Sequence, residues 1–338
     1  MKKFTKGCLL TALTLLILGC AFCSIFGILG GFRQLDNLNA NYMNPMSGIR
    51  WINNGAGLNL EFRDFWGNDF TNKQTLGTSQ EIQTEYQASD ITDMDIEIGG
   101  GNLEIYESED DYIWIKNGSN IKAVEYGVKN GVLKIQYIRS YRFFRLWGGD
   151  DFSKAKISLY LPEGMTFDTI DMELGAGTMK SDIDLIAEEI NLEAGAGTFE
   201  MEGLEARDID ISVGAGSFEI GRIDADELSM EAGAGEIIAD QIAVRDLDLD
   251  VAAGSFQLIG SISGNADIEC AAGSVELILE GEESDYNYDV ECAMGDVSIG
   301  SNSFSGLISE RYVNNGSSRK VNVDCATGSV SISFRAAE

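Results

Sequence analysis

The sequence is organised by a glycine that returns about every nineteen residues. Gly-Ala-Gly stands at 175–177, 195–197, 214–216 and 233–235. It decays to Ala-Ala-Gly at 252–254 and 271–273, Ala-Met-Gly at 293–295 and Ala-Thr-Gly at 326–328. With the last glycine as register, Gly177, Gly197, Gly216, Gly235, Gly254, Gly273, Gly295 and Gly328 are separated by 20, 19, 19, 19, 19, 22 and 33 residues. A repeat this short cannot bury a core alone and must stack on its neighbours. Gly99-Gly100-Gly101, ahead of Asn102-Leu103-Glu104-Ile105, reads as an earlier and more divergent instance.

Aligned on that glycine, the columns sort by polarity. Five residues before it stand Met172, Leu192, Ile211, Met230, Leu249, Ile268, Val290 and Val323. Three before it stand Leu174, Ala194, Val213, Ala232, Val251, Cys270, Cys292 and Cys325, and two after it Met179, Phe199, Phe218, Ile237, Phe256, Val275, Val297 and Val330. Between the first two columns, four before the glycine, are Glu173, Glu193, Ser212, Glu231, Asp250, Glu269, Glu291 and Asp324. Alternation with period two makes each arm a half-buried strand. The expected fold is all-β, a parallel β-helix (β-solenoid) of about 19–20 residues per coil. The glycines turn the corners, where a missing Cβ permits unusual dihedrals and close stacking. The Leu-Leu-Asn pattern of leucine-rich repeats and the Gly-Gly-x-Gly-x-Asp of Ca²⁺-binding nonapeptide repeats are both absent.

An address precedes the repeat. Lys2, Lys3 and Lys6 lead into an uncharged run from Cys8 to Phe32, closed by Arg33. Twenty-five such residues suffice to cross a hydrocarbon core of about 30 Å as a helix. The N-terminal cations place that end in the cytoplasm and the remainder outside. Ile17-Leu18-Gly19-Cys20 resembles a lipobox, so a lipoprotein anchored at Cys20 is the alternative, although the apolar run continues past it. The expected organisation is a tail and transmembrane anchor (1–33), a juxtamembrane stalk or cap (34–80), irregular first coils (81–165) and regular coils (166–338).

Charge narrows the function. The chain has 338 residues, 24 Lys and Arg against 55 Asp and Glu, and no histidine. Four of those cations lie in the first 33 residues, so the exported part is more acidic still. Nucleic acid is excluded as a partner, since phosphate neutralisation needs clustered cations. Histidine-dependent nucleophiles and histidine-ligated metals are excluded as well. Stacked carboxylates about 4.8 Å apart repel by roughly 0.9 kcal/mol in bulk water. Solvent screening is one answer to that repulsion. Bridging by Ca²⁺ or Mg²⁺ at Glu231, Asp250, Glu269 or Glu291 is the other. No catalytic or cofactor-binding residue stands out. Cys270, Cys292 and Cys325 share one inward column and read as small core fillers rather than disulfide partners, which for an exported chain points to a Gram-positive surface. One segment breaks the acidic pattern. Arg139, Arg142 and Arg145 alternate with Tyr141, Phe143, Phe144 and Trp147. These residues either contact a membrane or partner, or fold back onto the acidic columns.

The stretch Ile157-Ser158-Leu159-Tyr160-Leu161-Pro162-Glu163-Gly164, followed by Ile170-Asp171-Met172-Glu173-Leu174-Gly175-Ala176-Gly177, resembles bacterial membrane-anchored candidate adhesins built on a β-solenoid domain of unknown function. In those proteins a strand, Leu-Pro-x-Gly, strand and glycine turn open a run of coils. The resemblance covers about residues 85–338 and implies a non-catalytic envelope protein that binds cell wall or a partner protein. It supplies no catalytic residues. A polysaccharide lyase or hydrolase is the alternative, because parallel β-helices also host such enzymes, but these need grouped carboxylates in a cleft walled by inserted loops. The coils from 177 to 273 have almost no room for such loops.

Overall fold

Strands are what alternation demands, and strands are what the computed structural model contains. It describes residues 49–53, 58–62, 74–76, 84–117, 124–137, 156–305 and 309–336. The expected membrane segment, Cys20 and the segment from Arg139 to Trp147 all lie outside the described residues. Among the described residues there is no α-helix, so none is long and apolar enough to cross a membrane.

Contacts divide the chain into two units, residues 1–65 and 66–338. In the first, β1 (Ile49–Asn53) and β2 (Leu58–Phe62) pair antiparallel, with Ile49 opposite Phe62. Sequence periodicity gave no sign of this pair.

The second unit is a stack of coils. β11 (Thr166–Leu174), β12 (Gly177–Ala194), β13 (Thr198–Val213), β14 (Ser217–Ala232), β15 (Glu236–Val251) and β16 (Ser255–Ile262) follow one another in space as in sequence. Every pairing among these is parallel. Ile190 is in register with Ile209, Ile209 with Leu228, and Leu228 with Leu247, each one repeat apart. The first coil is one residue longer because β12 shifts register between Ser181 and Asp184. Within β13 the residues Phe199, Met201, Leu204, Ile209, Ile211 and Val213 are all buried, and they join one core running from Ile91 to Ile332.

The corners stay inside the hydrogen-bond ladder. Gly233 N–H donates to the Val213 carbonyl, Ala234 to Gly214 and Glu236 to Gly216, so the bend continues the bonding of the strands on either side. Of the eight register glycines only Gly177 has a left-handed φ, +125°. The expectation of unusual dihedrals therefore fails at the other seven. What they require is space. A Cβ on Gly235 would lie 2.7 Å from the Gly216 carbonyl oxygen and 2.7 Å from Val213 Cγ2. The column three residues before one glycine packs beneath the glycine of the next coil.

At both ends stacking order departs from chain order. β17 (Ala266–Cys270) and β18 (Ser274–Glu280) form the next coil. The chain then makes β19 (Asn287–Cys292) and β20 (Asp296–Ile299), which do not pair with them. It reverses in β21 (Asn302–Ser305) and β22 (Ser309–Val313), antiparallel on β20 and β19. Finally β23 (Lys320–Cys325) slots between β17 and β19, and β24 (Ser329–Arg335) between β18 and β20. The reversed layer accounts for the spacing of 33, and a 3-10 turn at Glu283–Asp285 for that of 22.

The opposite end mirrors this. β3 (Gln74–Leu76) and β4 (Thr84–Gln87) are outermost. β5 (Asp93–Ile98) and β6 (Gly101–Glu107) lie one layer inside β9 (Val132–Tyr137) and β10 (Lys156–Leu161). β7 (Tyr112–Asn117) and β8 (Val124–Lys129) run antiparallel to both outer layers. β5 and β6 pair with β11 and β12, and Gly101 sits opposite Gly177, so the divergent glycine cluster is a true coil corner. The edges of the stack are thus β21 and β22 at one end and β3 and β4 at the other, each paired on one side only among the described residues.

Candidate binding site: the acidic ladder

Residues five and three before the register glycine point inward, so the residue between them must point outward. Stacking brings these residues into one ladder. Read along the sheet it runs Gln136, Glu97, Glu173, Glu193, Ser212, Glu231, Asp250, Glu269, Asp324, Glu291 and Glu310. At ~4.8 Å per rung it spans about 48 Å. The four candidate cation ligands Glu231, Asp250, Glu269 and Glu291 all belong to it, but Asp324 lies between the last two because β23 is inserted there. Sequence spacing had put Asp324 beyond Glu291.

Beside the ladder, two places before each register glycine, the corner carries only glycine or alanine. An open groove of about 560 Å³ results, with Ala252, Ala271, Ala293 and Ala326 along it and Glu231, Asp250, Glu269, Asp324, Glu291 and Glu310 as its acidic wall. All six acids are exposed. They form a line, and among the described residues no three acidic or cysteine side chains converge as a metal cage. On the other side of the corner the residue after the glycine is usually a hydroxyl. Thr198, Ser217, Ser255 and Ser274 edge a second groove, and Ser217 Oγ donates to Thr198 Oγ1 at 3.1 Å. This column is visible in sequence, one place past each glycine, yet nothing there marked it as a groove.

The adjacent outward column, six before the glycine, is built differently. It runs Lys134, Asp95, Asp171, Asn191, Asp210, Ser229, Asp248, Asp267, Asn322 and Asp289. Here donors interleave with acids. Lys134 Nζ donates to Asp95 at 2.8 Å, Asn191 Nδ2 to Asp171 at 2.8 Å, and Asn322 Nδ2 to Asp267. The ladder has only Ser212 inside its run of acids.

The ladder also changes character along its length. At the β5 end Glu97 is 2% exposed. Its Oε2 accepts a 2.7 Å hydrogen bond from Gln136 Nε2 and its Oε1 has no partner. Burial pushes the Glu97 carboxyl up, with the Asp95 charge adding to it. Next to it Glu173 is pushed up to about 7, first by burial and then by the charges of Glu97, Glu193 and Asp95. Both carboxyls therefore hold a proton more readily than they would in water, whereas the acids of the groove end are exposed to solvent. The glycines Gly177, Gly197, Gly216, Gly235, Gly254, Gly273, Gly295 and Gly328 position the ladder by permitting the coil spacing.

A family model described as Toastrack DUF4097 matches residues 91–333. No curated protein matches the chain. Among solved structures, a candidate adhesin from Parabacteroides distasonis is similar at 14% identity over 76% of this chain and 98% of its own, with a TM-score of 0.45. A candidate lipid-binding protein from the same species has 14% identity over 77% of this chain and 96% of its own, with a TM-score of 0.39. A candidate adhesin from Parabacteroides merdae has 13% identity over 76% and 97%, with a TM-score of 0.35.

Proposed function

The chain belongs to the Toastrack DUF4097 family, and from that premise we propose that it is a non-catalytic binding scaffold of the cell envelope. The ladder docks a partner that carries repeated cations, either an amine-bearing cell-wall polymer or a basic patch on an envelope protein. Residues 1–33 hold the scaffold to the membrane with the solenoid outside, and the segment from Arg139 to Trp147 adds a second contact to membrane or partner.

One observation supports this reading above the others. Two outward columns lie side by side, and only one of them is interrupted by donors at most steps. A column that merely faced solvent would be stabilised by the same interruptions, because like charges on neighbouring strands are destabilising. Leaving the ladder uncompensated makes sense when the compensating charge comes from a partner. The coils from Gly177 to Gly273 stack strand on strand without an inserted loop to wall a substrate cleft, with register shifts at Ser181/Asp184 and Ala239/Ile242, which favours a rail over a polysaccharide lyase.

Co-sedimentation with isolated cell walls tests this. The protein is expected to pellet at low ionic strength and to release near about 0.5 M NaCl, where screening is nearly complete. Glu231→Gln with Asp250→Asn and Glu269→Gln should weaken retention, while Asp210→Asn with Asp248→Asn should not. Acetylating wall amines, or stripping wall proteins with protease, tells the two partners apart. Equal retention of both variants would reject the ladder as the docking surface. Protease shaving of intact cells checks the topology, and survival of full-length protein would reject it.

A further inference from the structure

We propose that Cys325 is the shared partner of two alternative disulfides, to Cys270 on one side or Cys292 on the other, each fixing the inserted strand β23 in the stack. The three thiols occupy one inward column in the spatial order Cys270, Cys325, Cys292. All three are free and buried. In-register neighbours on parallel strands have Cα atoms about 4.8 Å apart, inside the ~4.4–6.8 Å span that disulfides bridge. The Cys325 side chain interacts with those of both neighbours. Cys270 and Cys292 are two rungs apart, about 9.6 Å, which no disulfide spans. Glycine leaves room beside the sulfurs: a Cβ on Gly295 would meet Cys325 Sγ, and one on Gly328 would meet Cys270 Sγ.

Burial holds the Cys325 thiol up at about 11, so inside the finished stack it is a poor nucleophile. The exchange therefore takes place while β23 is still exposed. A small-molecule disulfide of the glutathione type is the oxidant. The Cys270 thiolate attacks one of its sulfurs and expels a glutathione thiolate, leaving a mixed disulfide on Cys270. The Cys325 thiolate then attacks the Cys270 sulfur and expels the second glutathione thiolate. One protein S–S bond forms, one glutathione S–S bond is reduced, and the two protein thiols give up their protons. The same steps through Cys292 give the other pairing.

The full chain is denatured, refolded in a mixture of oxidised and reduced glutathione, alkylated, digested and mapped by mass spectrometry. Mapping keeps Cys8, Cys20 and Cys23 separate from the column. Peptides joining Cys325 to Cys270 or to Cys292 are expected, and reduction should lower the melting temperature of the oxidised chain. Alanine already fills this column at Ala194 and Ala232, so Cys325→Ala fits the fold and should abolish both links. Cys270→Ala should leave only the link to Cys292, and Cys292→Ala only that to Cys270. Three unlinked thiols, glutathione adducts alone, or any Cys270–Cys292 link would overturn the proposal.

Discussion

The rings of Phe199 and Phe218 stack 4.5 Å apart and 5° from parallel, on adjacent coils and wholly inside the core. Register forces this contact, since both stand two residues past their glycine and their strands pair one to one. Phe218→Ala removes a stacked partner and opens a cavity, and should cost about 3–5 kcal/mol. Phe218→Asp adds an unpaired buried charge and should prevent cooperative folding. Thermal unfolding followed by far-UV circular dichroism checks both, and a Phe218→Asp chain melting like wild type would refute the stacking register.

Glu173 gives the fold a pH dependence opposite to that of an ordinary paired carboxylate. Its carboxyl titrates near 7 in the fold against an ordinary 4.5, so between those values the folded chain holds a proton that the unfolded chain has lost. Its contribution to stability is full below about pH 4.5 and falls as pH rises towards 7. Asp95, Glu97 and Asp171 are shifted upward by burial too and act in the same direction. The melting temperature at about pH 8 should therefore lie below that at about pH 6. Glu173→Gln should flatten this difference and stabilise the protein at the higher pH by about 1–2 kcal/mol, allowing for solvent screening of a half-buried group. A variant less stable at both pH values would contradict the assignment.

The exposed half of the ladder should respond to salt. Repulsion among Glu231, Asp250, Glu269, Asp324 and Glu291 opposes folding, because an unfolded chain lets the charges separate. NaCl should raise the melting temperature, mostly below about 0.15 M as the Debye length contracts to ~8 Å. Since the acids form a line rather than a cage, CaCl₂ at matched ionic strength should add nothing more. An excess effect of millimolar Ca²⁺ would instead identify neighbouring rungs as cation bridges.

Gly235→Ala tests what the corner glycines are for. A methyl group there meets the Gly216 carbonyl and the Val213 side chain, so coils must part locally at a cost of about 1–3 kcal/mol. Gly164→Ala is the comparison with the opposite physics. Its φ is +66° and nothing lies within 4 Å, so it suffers from backbone strain alone. If Gly235→Ala were neutral in urea unfolding, the close approach of the corners would be disproved.

The columns were legible because a repeat of constant length puts equivalent residues on the same side of every coil. Glu97 was within reach of the same logic, since it stands four before Gly101, but the degraded motif obscured it. Glu310 was not, because it lies on the reversed β22, where the period has no meaning. Sequence also could not order the last coils. Ile268, Val323 and Val290 are interchangeable as inward rungs, so β17 is satisfied equally by β23 or β19, and only the spacings of 22 and 33 hinted at an interruption. The corner glycines were expected to serve both unusual dihedrals and close stacking, and sequence, which reports a missing Cβ without saying what would strike it, could not say that close stacking is the commoner need.

The insertion of β23 and β24 has a consequence in time. Ribosomal synthesis delivers β19 to β22 before the two strands that must lie beneath them, so the edge of β17 and β18 that β23 and β24 cover waits for its native partner until the chain doubles back. During that interval the edge accepts any strand pair with the right alternation. The pair best suited to it, after the chain's own, is the β23–β24 of another molecule emerging nearby. Crowded synthesis therefore favours exchanged dimers in which each copy completes the other, a hazard that a solenoid stacked strictly in chain order does not face.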